Sequence, residues 1–68
     1  MRTQIIDALV SDATAKINVA KMNIEVLLSN PVGVGDHPNI METIQGQVDI
    51  VSQNKDRLKV LQEEFKDD

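Results

Sequence analysis

Between Asn30 and Pro38 the chain holds both of its prolines and two of its three glycines. No other feature constrains the fold as much. Proline lacks a backbone N–H and clashes with the turn before it, so helix is confined to either side of this stretch. Asn30 precedes Pro31, and a pre-proline residue is pushed out of the α region, which stops a first helix at about Ser29. Pro38 suits the first turn of a second helix, where a missing N–H costs nothing. The expectation is a helix over 3–29, a bend over 30–37 and a helix over 38–66. Asp36 or His37 would cap the second helix, and Asp36 and Glu42 place negative charge where the helix dipole favours it.

Both flanking segments carry helical periodicity. In the first, Val10, Ile17 and Ile24 recur every seven residues, and Ile6, Ala13, Ala20 and Leu27 form a parallel series. This is an a/d seam, with β-branched residues at a and mostly small residues or leucine at d. In the second, Ile44, Val51, Leu58 and Phe65 form one series. Met41 and Val48 lie beside it, Lys55 and Gln62 continue that row, and Leu61 adds to the far end. Two helices of nearly equal length joined by a short bend make an antiparallel hairpin, so the fold class is all-α. Folded about Val34, the hairpin sets Ile24 against Ile44, Ala20 against Val48, Ile17 against Val51 and Val10 against Leu58, with Thr3 near Phe65. Ala13 would face Lys55, whose aliphatic stem can cover apolar surface while its ammonium reaches water.

A second stripe remains on helix 1: Ile5, Ala8, Ala15, Val19, Met22 and Val26. Helix 2 offers a weaker one in Thr43, Gly46, Ile50 and Val60. A helix that is apolar on two faces is buried on two faces, and a lone hairpin buries one. Leaving the stripe wet would forfeit several kcal/mol at about 25 cal/mol per Å2. Gly46 costs about 1 kcal/mol in a helix interior, which makes sense where another helix approaches closely. A chain of 68 residues also buries a thin core, and such scaffolds usually need a staple or a partner. Self-association is therefore expected, with a two-fold four-helix bundle of two hairpins as its simplest closed form. A different protein covering the same stripe is the alternative.

Composition narrows the function. There is no cysteine, so disulfides and thiolate metal ligands are excluded. The single Phe leaves almost nothing to stack on bases, and a net charge of −4 argues against binding a phosphate backbone. No apolar run approaches the roughly 20 residues needed to span a bilayer. Asp7 and Asp12 interrupt any signal-like apolar core, so a soluble, cytoplasmic protein is expected. Asp7, Asp12, Glu25, Glu42 and Asp49 are scattered, and no Glu-x-x-His pattern occurs to suggest a di-iron bundle. With no nucleophile–base pair and no ligand cluster, neither an enzyme nor a cofactor is expected. Asp12 and Lys16 form an i,i+4 ion pair of small effect. The polar run from Ser52 to Arg57 reads either as a layer that sets register or as a solvated segment, and Asn18 and Asn23 flank the seam where they could bond into such a layer.

The bend itself contains a G-x-G ahead of a helix N-terminus, a generic anion site. No strand precedes it, and the third glycine and the P-loop lysine are missing. Asp36 and His37 are too few to hold a metal. Geometry accounts for each residue: Pro31 stops a helix, Gly33 and Gly35 permit positive φ, Pro38 starts the next helix, and Val32 and Val34 can cap the bundle end; a tip that contacts a partner is the alternative. The stretch "NPVGVGDHPNI", followed by an amphipathic acidic helix, resembles small proteins encoded by T4-like marine cyanophages and related marine phages, where the pattern runs approximately N-P-V-G-[IV]-G-[DE]-H-P-[DN]-I. The resemblance covers Asn30 to Ile44, and helix 1 shares only its character. It implies a phage origin and no particular activity. The expected function is that of a non-enzymatic oligomeric interaction protein in the host cytoplasm, binding itself and a host or phage protein. The alternative is a small phage assembly, scaffold or virion component.

Overall fold

The computed structural model describes residues 1–29 and 39–66. The reading of the bend, including Pro31, Gly33, Gly35, Asp36, His37 and Pro38, lies outside them. Two helices, α1 (Arg2–Ser29) and α2 (Ile40–Glu64), pack against each other, and the described residues contain no strand. The pair measures about 49 × 15 × 14 Å, close to the ~42 Å that 28 helical residues span at 1.5 Å each.

Helix α1 begins at once: the Ile5 N–H donates to the Met1 carbonyl at 3.1 Å. The hydroxyls of Thr14 and Ser29 donate back to the carbonyls of Val10 and Glu25, each at 2.8 Å, so neither competes with the helix for its backbone. The start of α2 differs from the expected cap. Asn39 occupies the N-cap position, at φ −104° and ψ 46°, and its side chain makes no capping bond. Its carbonyl instead accepts from the Thr43 N–H at 3.0 Å and the Thr43 hydroxyl at 3.1 Å. At the other end, the Phe65 N–H donates to the Leu61 carbonyl at 3.2 Å and closes the last turn.

Two hydrogen bonds tie the helices at opposite ends and show the antiparallel run. Near the termini, the Arg2 guanidinium donates to the Phe65 carbonyl at 2.6 Å. Towards the bend, the Asn23 amide donates to Gln47 Oε1 at 3.0 Å. Between them lies the seam. On α1 the protected residues are Ile6, Val10, Ala13, Ile17, Ala20, Ile24 and Leu27, of which Ala13, Ile17 and Ala20 are buried. Their 4-3 alternation keeps one face turned to a partner helix along the whole length of α1.

On α2 the protected residues are Ile40, Ile44, Gln47, Val51, Asn54, Leu58 and Leu61. Two of the six expected seam residues of α2, Val48 and Phe65, are corrected here. Val48 is 48% exposed and Lys55 is exposed, while Gln47 is half-buried and Asn54 is only 2% exposed. A rigid helix chooses one row or the other. The row through Val48 would also bring in Met41, Lys55 and Gln62. The row through Asn54 brings in Ile40 and Leu61 at the ends. An ammonium costs far more to bury than an amide, so the second row wins despite its two polar members. Phe65, also expected in the seam, is 47% exposed because it is the C-cap, where φ of −126° takes it off the helical spiral.

Candidate interaction face

The hairpin has two long sides flanking its seam, and they differ. On one side, two shallow grooves run between the helices. The first is bordered by Val19 and Ala20 of α1 and by Ile50 and Asn54 of α2, with an accessible volume of about 520 Å3. The second is bordered by Leu9 and Ala13 of α1 and by Val60 and Leu61 of α2, at about 320 Å3. Arg57 borders both, so the grooves share one face and meet at this residue. Asp12 borders the second groove and Lys16 the first, and their ion pair at 2.9 Å spans the gap on α1. Both side chains are about half exposed, so the pair contributes little to stability in water.

Large apolar side chains are concentrated on this face. Leu9 (47%), Val19 (62%), Ile50 (37%) and Val60 (43%) are all exposed there. Ile5 and Val26 are exposed too, and each lies seven residues from Asp12 or Val19 on the same α1 row. Seven-residue spacing places Asp7, Thr14 and Lys21 with Lys55 and Gln62 on the opposite side, where apolar Leu28, Met41 and Val48 are confined to the bend end.

The stripe expected to bind a partner falls on the surface throughout. Ile5, Ala8, Ala15, Val19, Met22, Val26, Gly46 and Ile50 are all exposed. A Cβ added at Gly46 would meet nothing within 4 Å, so within the hairpin no close approach requires a glycine. Leu9 was not anticipated as part of the face, though its place four residues after Ile5, and seven before Lys16, was readable from the same heptad. Asn54 was not singled out within the polar run; its signal was the seven-residue step from Gln47 and to Leu61.

Asn54 carries an orphaned group. Its amide donates to the Ile50 carbonyl at 2.8 Å, while its Oδ1 is buried with no partner. Among the described residues, no group of three or more His, Cys, Asp or Glu side chains could hold a metal ion, and no helix is long and apolar enough to cross a membrane. What the geometry defines is an antiparallel two-helix hairpin with Leu9, Val19, Ile50 and Val60 exposed along one face. No protein-family model, curated protein or solved structure matches the chain.

Proposed function

We propose that the protein is a non-enzymatic interaction module that self-associates through the Leu9–Val19–Ile50–Val60 face, building a helical bundle that binds a host or phage protein in an infected cell. The observation that carries this reading is the asymmetry of the hairpin: one side exposes Leu9, Val19, Ile50 and Val60 along its length, interrupted by the charges of Asp12, Lys16 and Arg57, whereas on the other the large apolar residues Leu28, Met41 and Val48 are confined to the bend end. The thinness of the core supports it. Among the described residues only Ala13, Ile17 and Ala20 are buried and apolar, and two of these are alanines. The accessible surface is 5317 Å2 for 7.5 kDa, against roughly 4,200 Å2 for a compact monomer of that mass. The excess, on the order of 1,000 Å2, is near the ~800 Å2 that each partner gives up in a standard stable interface. The phage setting rests on the Asn30–Ile44 resemblance. Sedimentation equilibrium of the purified chain over a hundredfold concentration range tests the self-association. The expected result is a mass above 7.5 kDa that falls on dilution. A well-folded monomer throughout would end the proposal.

A further inference from the structure

The geometry points to a specific pairing for that face: a second copy turned about a two-fold axis parallel to the helices, so that α1 of each hairpin lies on α2 of the other with both bends at the same end. This rests on the self-association proposed above and adds the arrangement. The argument comes from the levels of the face. Each level already brings one α1 residue and one α2 residue to the same groove: Leu9 with Val60, Asp12 with Arg57, and Val19 with Ile50. A two-fold along the hairpin preserves height and exchanges the helices. Leu9 then meets the second copy's Val60, and Val19 meets its Ile50, so each apolar level closes on itself.

The charged level decides between the possible axes. With the axis along the hairpin, Asp12 lies on the second copy's Arg57, and the four side chains alternate in sign around the bundle. With the axis across the hairpin at its middle, α1 lies on α1 and α2 on α2. Lys16 would then approach its own mate, and Arg57, which lies at the level of Asp12, would fall on the second copy's apolar Ile50. Like charges brought together in a desolvated contact cost several kcal/mol, so the first arrangement is favoured. It also leaves every helix antiparallel to both of its neighbours, and it sets Val26 near the second copy's Gly46, large against small.

The chain has no cysteine, so introduced ones report cleanly. Val19→Cys, isotope-labelled, is mixed with unlabelled Ile50→Cys and oxidised, and labelled Leu9→Cys is likewise mixed with unlabelled Asn23→Cys. All four positions are exposed in the hairpin, and circular dichroism checks that each variant remains helical. The expected result is a mixed disulfide dimer from the Val19/Ile50 pair and little from the Leu9/Asn23 pair. Efficient Leu9/Asn23 linkage would place the axis across the hairpin, overturning the inference while leaving self-association standing. Dimeric mass with neither linkage would move the contact to another face, with the same consequence. Folded, monomeric variants and wild type would remove both this inference and the reading beneath it.

Discussion

Asn54 gives one amide hydrogen to the carbonyl of Ile50, a single turn earlier on α2, and its Oδ1 receives nothing in return. The seam thus contains a buried acceptor at the middle of its length. Such an orphan costs about 1–3 kcal/mol, because its water is removed and not replaced. Leucine is of similar volume and carries no polar atom. Asn54→Leu should therefore raise the urea midpoint, by the equivalent of about 1–2 kcal/mol. Asn54→Asp should lower it, since a carboxylate there would be buried without a cation. Equilibrium unfolding followed by circular dichroism reads both. A leucine variant less stable than wild type would mean that the amide does more than the single Ile50 bond shows.

Among the described residues, Ile17 is the only large one of the three buried apolar side chains. Ile17→Ala should cost about 2–4 kcal/mol through lost burial and the cavity left behind. A core this small rarely supplies more than about 3–5 kcal/mol, so the variant should be largely unfolded at 25 °C. Retention of most of the wild-type helical signal would show that the seam is not what holds the hairpin together.

Gly46 provides a test that depends on concentration. In the hairpin alone, Gly46→Ala meets open space and gains helix propensity of about 1 kcal/mol. At high dilution the midpoint should rise. At concentrations where two copies are paired, the added methyl falls on the contact and the gain should shrink. An equal gain at both concentrations would place Gly46 outside the interface.

Val19→Glu puts a carboxylate at the centre of the apolar face, where burial without a partner is costly. Its dissociation constant should rise at least tenfold, equivalent to about 1.4 kcal/mol. Thr14→Glu, on the opposite side, should leave the mass unchanged in sedimentation equilibrium. If both variants stayed associated, the face assigned to the contact would be wrong.

The seam of α1 was legible because Ile6, Val10, Ala13, Ile17, Ala20, Ile24 and Leu27 keep the 4-3 alternation along the whole helix, a longer and more continuous row than the second stripe through Val19 and Met22. In α2 two rows compete, and hydropathy at Val48 pointed to the wrong one. The residues that decided it were at the ends and in the middle, Ile40 and Leu61 against Met41 and Gln62, and Asn54 against Lys55. That is a cost summed over a whole helix, which residue-by-residue reading underweights. The cap at Asn39 was missed for a related reason. Several polar residues before a helix are equally good candidates, and local chemistry alone does not choose between them. The face was partly legible: its α1 stripe was visible, but its pairing with Leu9 and Val60 depends on how the helices are set side by side.

The bond from Arg2 to the Phe65 carbonyl joins residues 63 positions apart in sequence and so brings the two chain ends to one pole of the rod. Fluorescent proteins fused at either terminus would emerge side by side, within range of energy transfer, and would separate when the helices part. Folding of the hairpin could then be followed inside a living cell by colour alone, with every residue of the apolar face left untouched.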